Sequence, residues 1–231
     1  MHRDEYLKTL CGLGFPLSPV LVDGLDVGLA SGNNHFEIYS EATFDNNKMG
    51  AQIHLYKLPE SDEYSISKYE ASTKSAVYPF EERKNGFAVI RRKAVTFKEA
   101  YNLLQGRPIL KDFLTPSQVS YSAWMDLNLT ERDISGNYRE VKYSVKGFDL
   151  ETAVKMYPIK ELQEEDSAND LIGSLQRGDR VEVSFLKKRT VEKMFIEVNI
   201  KMKLLTIIPP SAIEMMKSSK GFKDIDFETE R

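Results

Sequence analysis

The sequence predicts an α+β fold of antiparallel β-meanders with packed helices, in one or two sheets. Three observations carry this. Apolar and polar residues alternate with period two in two blocks, about 36–92 and 123–208. A capping box opens a helix between the blocks. Strands follow strands rather than alternating one by one with helices, which argues against a parallel βαβ sheet. A length of 231 residues suits one large domain or two small ones. The expected division is an N-terminal helical segment over 1–35, α+β regions over 36–115 and 116–210, and a partly ordered tail over 211–231.

The elements follow in order. Leu7, Leu10, Cys11 and Gly14 have the spacing of one helix face, and Gly12 and Gly14 stop the helix before Pro16. Ser18-Pro19 places a cap before a first-turn proline, opening a second helix to about Ala30 that Gly24 and Gly28 weaken. Phe36, Ile38, Ser40, Ala42 and Phe44 then share one side of a strand. After the turn at Asp45-Asn46-Asn47, Ala51, Ile53 and Leu55 share a face of the next strand. Tyr64, Ile66 and Lys68, then Tyr69 and Ala71, predict a third strand with a bulge. Asn85-Gly86 is the strongest short hairpin signal, because both residues tolerate positive φ, and it should join Ala76–Arg83 to Phe87–Arg92.

In Thr96-Phe97-Lys98-Glu99 the threonine can accept from the third helical N–H while the glutamate reaches back. Gly106 supplies a left-handed residue to close that helix. A loop with Pro108 and Pro116 leads to Ala123, Met125, Leu127 and Leu129, which alternate with Trp124, Asp126, Asn128 and Thr130. Ser135-Gly136-Asn137 turns into a strand over 138–146. Asp149 caps a helix to Met156, and Ser167 with Asp170 should cap another carrying Leu171, Ile172 and Leu175. Strands are expected at Val181–Leu186, Lys193–Asn199 and Lys203–Ile208, ended by Pro209-Pro210.

Composition excludes several function classes. With 41% hydrophobic and 29% charged residues the chain can bury a core, and no run is long and apolar enough for a spanning helix. The start, Met1-His2-Arg3-Asp4-Glu5, lacks the apolar stretch of a signal peptide. One cysteine, Cys11, allows no internal disulfide and fits a reducing cytoplasm. The net charge is −3, with 14 basic and 15 acidic residues up to Thr115 and 18 and 20 after it. Neither half is a polycation. Locally, Arg83, Lys84, Arg91, Arg92, Lys93 and Lys98 form an acid-free basic segment. Lys187, Lys188, Arg189, Lys193, Lys201 and Lys203 form a second, broken by Glu192 and Glu197. Glu161 to Asp170 holds five acids and no base.

Candidate chemistry is sparse. No glycine-rich phosphate loop exists. Cys11 reads as a small buried hydrophobe, and His54, opposite Ile53 and Leu55 in strand alternation, as a solvated side chain. The acidic pairs sit at turns and helix ends, where solvation and helix dipoles explain them. No catalytic, cofactor-binding or metal-ligating set is assembled. Asn102 and Arg107 are the residues least explained by packing, and either can pin the loop over 108–122 or bind a ligand.

The run Thr96–Arg107, TFKEAYNLLQGR, resembles a "KEAYNLLxGR" block of an uncharacterised domain family encoded on conjugative transposons and plasmids of anaerobic gut bacteria. The similarity continues through Lys111-Asp112, the YSAW block (Tyr121, Ala123, Trp124), FDLETA from Phe148, PIKEL at Pro158–Leu162, SLQRGDRVEVSF at Ser174–Phe185 and MFIE at Met194–Glu197. It covers most of residues 6 to 208. The family often has a histidine where Tyr157 stands, and an "NPQF" where Asn199-Ile200-Lys201-Met202 stands. The resemblance implies no activity, cofactor or catalytic residue. It implies a mobile-element setting, which raises the expectation of nucleic acid nearby.

The expected function is therefore a non-catalytic, cytoplasmic accessory protein of a mobile genetic element, acting through an unknown protein partner and not a membrane. The alternative is weak, salt-sensitive nucleic-acid binding through Arg83, Lys84, Arg91, Arg92, Lys93, Lys187, Lys188 and Arg189.

Overall fold

The computed structural model describes residues 3–75, 81–90, 94–188 and 190–218. Six α-helices and three antiparallel sheets make up an α+β fold among these residues. Helices α1 (Arg3–Gly12) and α2 (Pro19–Ser31) precede a four-stranded meander, β1 (His35–Phe44), β2 (Asn47–Lys57), β3 (Tyr64–Lys74) and β4 (Glu82–Ala88). Helix α3 (Phe97–Leu104) leads into a three-stranded sheet, β5 (Ile109–Leu114), β6 (Ser120–Arg132) and β7 (Tyr138–Ser144). Helices α4 (Leu150–Lys155) and α5 (Glu165–Gln176) precede the third sheet, β8 (Val181–Leu186), β9 (Val191–Asn199) and β10 (Leu204–Ile208), and α6 (Pro210–Ser218) follows it.

The local signals operate as physics dictates where they stand alone. Ser18 Oγ accepts from Leu21 N at the start of α2, with Pro19 as the first helical residue. The capping box of α3 is complete: Glu99 N donates to Thr96 Oγ1 while Thr96 N donates to Glu99 Oε2. Asp45 and Asn46 both have positive φ (48° and 63°) and form a two-residue turn between the paired Phe44 and Asn47. The bulge in β3 falls at Ser67, the extra residue between partners Leu55–Ile66 and His54–Lys68.

Two cores share the middle sheet. The first lies between the inner face of β1–β4, the helices α1, α2 and α3, and one side of β5–β7, where Ile109, Met125, Leu127 and Tyr138 join it. Gly28 permits part of this: a Cβ there would sit 2.1 Å from the Phe36 ring, so the glycines expected to weaken α2 are where it approaches β1 closely. The second core gathers α4, α5 and β8–β10 against Trp124, whose indole packs edge-on to Phe148 at 6.0 Å. Residues 123 to 127 of β6 are all buried, because that strand has a core on each face.

Several expectations are corrected. Asn85-Gly86 is not a hairpin turn. It lies inside β4, which pairs along β3 from Lys74–Glu82 to Lys68–Ala88. The Asn85 side chain is buried, accepts from Tyr138 N and donates to Gly86 O, and Gly86 N donates to Asn137 Oδ1. The pair docks the β6–β7 turn onto the first sheet, and this long-range use outweighs its turn propensity. Residues 76–80 and 91–93 of the expected hairpin lie outside the described residues. The segment expected as a loop after Pro108 is strand β5, so the division at 115/116 falls between two strands of one sheet. Cys11 is exposed, because Tyr6, Leu10 and Leu13 form the buried stripe of the first turns and Tyr6 Oη accepts from Tyr64 N at 2.8 Å. Helix α5 starts two residues before Ser167, without a side-chain cap. Part of the expected tail, 210–218, is helical, with Ile213 buried; 219–231 lie outside the described residues.

Asn85→Ala should leave Tyr138 N buried without its acceptor and lower unfolding free energy by about 1–3 kcal/mol, read as a shifted urea midpoint at unchanged slope.

Candidate functional site

Asn102 and Arg107 occupy a buried polar cluster, and it is architectural. Asn102 is fully buried; its Nδ2 donates to Arg177 O at 2.8 Å and Asp179 Oδ1 at 2.9 Å, beyond the end of α5. Its Oδ1 accepts from Arg107 Nη2 at 2.5 Å, and the same nitrogen reaches Asp45 Oδ2 at 3.1 Å in the β1–β2 turn. The Arg107 guanidinium lies over the Tyr101 ring, and Lys98 lies over both Phe44 and Tyr101. Burial would raise the Asp45 carboxyl, but Arg107 and then Lys98 hold it below its ordinary value; burial pushes Lys98 down, opposed by Asp45. Gly178 seals the junction: its φ is +79° and a Cβ would come within 2.8 Å of Pro108 O. The pair therefore ties three turns together, rather than pinning the segment 108–122.

The outer face of the first sheet is a ladder of polar side chains. Glu37 stands opposite His54, and His54 opposite Lys68. Glu70 holds Lys84 at 2.6 Å and Lys68 at 3.4 Å, and Gln52 donates to Glu37 Oε2. His54 is not solvated as expected. Its side chain is 7% exposed, under the stacked rings of His35 and Tyr56. Burial pushes its imidazole below the ordinary value, Lys68 adds to this, and Glu37 and Glu70 oppose it. His35, Glu37 and His54 bring three ligand-type atoms together, a set that sequence reasoning passed over because the three residues meet only through strand register.

A cleft of about 630 Å³ opens between the end of α1, the β2–β3 turn, the start of β3 and the residues after β4. Its apolar lining includes Leu13, Leu58, Ile66, Val89 and Ile90; Leu58 is 40% and Ile90 62% exposed. Its polar lining includes Thr9, Glu63, Ser65, Thr96 and Lys111. The cleft exists here because β4 pairs with β3 only from Lys68 onward.

The basic segments are largely engaged within the chain where they are described. Arg83 is buried, with Nε and Nη2 on Glu81 and Nη1 donating to Leu104 O at 2.8 Å. Lys84 pairs with Glu70 and Lys187 with Glu192. Lys188 sits in the β8–β9 connection. Arg91, Arg92, Lys93 and Arg189 lie outside the described residues. Alternation on a strand could have exposed Lys84, but Arg83 faces the core side, which its charge alone concealed. Among the described residues, no helix is long and apolar enough to cross a membrane. Compared with known proteins, the chain matches no family model, no curated protein and no solved structure.

The lowered Asp45 carboxyl has a signed consequence. A depressed folded value contributes stability above the unfolded value, near pH 3.9, and that contribution is lost as pH falls through the folded value. Asp45→Asn, which still tolerates positive φ, should therefore unfold at lower urea than the parent chain at pH 7. The gap should narrow as the pH falls through 4 toward 2.

Proposed function

We propose that the chain is a non-catalytic binding protein that works through protein–protein contact, and that the cleft beside α1 receives apolar side chains of its partner. The observation that carries this reading is the open apolar wall of Leu13, Leu58, Ile66, Val89 and Ile90 around about 630 Å³. Removing apolar surface from water there contributes roughly 25 cal/mol per Å². The lining offers four hydroxyls, one acid and one amine, with no imidazole or thiol to activate a nucleophile. Lys111 is committed to Glu99 at 2.8 Å, which further favours binding over bond-making.

The setting in this proposal, an accessory protein of a mobile genetic element in the cytoplasm, is supported by the resemblance over residues 6 to 208 and by the free thiol of Cys11. The alternative, nucleic-acid binding by 83–98 and 187–203, is supported by local charge excess in the sequence. Its remaining cations include Arg91 and Arg92.

Leu58→Asp with Ile90→Asp tests the cleft, since both side chains are exposed and each change should alter stability by no more than about 0.5 kcal/mol. Complexes isolated from the native host should lose the partner at least about tenfold, a loss of roughly 1.4 kcal/mol. Undiminished recovery by the double variant would remove the cleft from the proposal. Retention on a nucleic-acid column at low salt that Arg91→Glu with Arg92→Glu abolishes would favour the alternative.

A further inference from the structure

The outer face of the first sheet, remote in chemistry from the apolar cleft, holds three lone-pair atoms around one point. His35 and Glu37 are two residues apart on β1 and so project to the same side. Antiparallel register sets His54 of β2 directly opposite Glu37. Glu37 Oε1 lies 3.0 Å from His54 Nδ1 and 3.7 Å from His35 Nε2, and the two ring nitrogens are 3.3 Å apart. We propose that His35, Glu37 and His54 form a divalent-metal site of the zinc class.

The triangle has the right dimensions. Ligands held at about 2.0–2.1 Å in a tetrahedral zinc site stand about 3.3–3.4 Å from one another, and one point about 2 Å from all three atoms exists here. Chemistry selects the ion. Two neutral imidazoles and a carboxylate suit zinc or a neighbouring late transition metal, whereas magnesium and calcium take oxygen ligands. A shared proton between the rings satisfies two of the three atoms and leaves the carboxylate competing for it; a cation satisfies all three.

The surroundings are arranged as such sites require. Gln52 donates to Glu37 Oε2, which steadies the carboxylate and leaves Oε1 directed at the histidines. His54 Nε2, on the far side of its ring, has no hydrogen-bond partner and faces Glu70 Oε1 at 3.8 Å. That separation exceeds hydrogen-bond reach, so Glu70 acts on the ring as a nearby negative charge and not as a hydrogen-bonded partner. Tyr56 stacks on His35 at 4.3 Å and limits its rotation. The nearby cations Lys68 and Lys84 both bind Glu70, so neither is paired with Glu37. His35 and Glu37 are each 36% exposed, which leaves the solvent side of the ion for water or a further ligand.

Titrating metal-stripped protein with zinc chloride, followed by calorimetry, should give one equivalent bound at micromolar protein. Cobalt substitution should give visible absorption of a four- or five-coordinate ion. His35→Gln with Glu37→Gln, both half-exposed, should keep the melting temperature of the metal-free protein and lose zinc binding by more than about a hundredfold. Zinc should raise the melting temperature of the parent chain and not of the double variant. Binding of less than half an equivalent, or parent-like affinity in the double variant, would overturn the site. Leu58→Asp with Ile90→Asp should bind zinc as the parent does, so failure of the cleft and failure of the metal site read out separately.

Discussion

Everything in this molecule hangs on the buried contact among Asn102, Arg107 and Asp45. A neutral amide and a guanidinium, both almost wholly inside the protein, bond to each other and then reach outward to Asp45 on one side and to Arg177 and Asp179 on the other. These are charge-assisted bonds in a poorly solvated place, where geometry counts for more than charge. Losing one partner would strand the others without water, so the turn between β1 and β2, the end of α3 and the turn before β8 keep their positions as a unit. The segment Lys98 to Arg107 thereby acts as a joint.

A second constraint follows from the middle sheet. Since β6 feeds two cores, its residues 123 to 127 have no free face, and Asp126 is buried, accepting from Leu127 N and pairing with Lys201. The helices α1, α2 and α3 use up the inner face of β1–β4 in the same way. Two places among the described residues carry the candidate sites. One is the outer face of the first sheet, where a polar ladder surrounds the half-exposed Tyr39 and Tyr56; the other is the notch where β4 stops short of the start of β3. The notch opens at the edge of the first core, and the His–Glu–His cluster lies on the face of β1 and β2 opposite that core.

Much of the architecture was readable from local pattern. Alternation located most of the strands, Ser18-Pro19 and Thr96–Glu99 located two helix starts, and Gly106 located a left-handed helix end. Reading failed where a residue's local preference was put to a distant use. Asn85-Gly86 has turn chemistry, yet two side-chain and main-chain bonds to the β6–β7 turn hold it in an extended strand. Cys11 has the spacing of a buried face, yet the need of Tyr64 N for the Tyr6 hydroxyl rotates the helix by one position.

Periodicity, caps and turn residues act within a few positions of the chain, so residue order was enough to decide the α+β class, the strand clusters and the location of the main helices. Each strand pairs with its neighbour in sequence, but how the sheets and helices dock on one another depended on interactions across 50 or more residues, as with Gly86 and Asn137 or Asn102 and Asp179. The cleft depends on that docking, and the metal cluster on hairpin register. His35, Glu37 and His54 have no telling spacing along the chain, and only the register between β1 and β2 brings their donor atoms within 3.7 Å of one another.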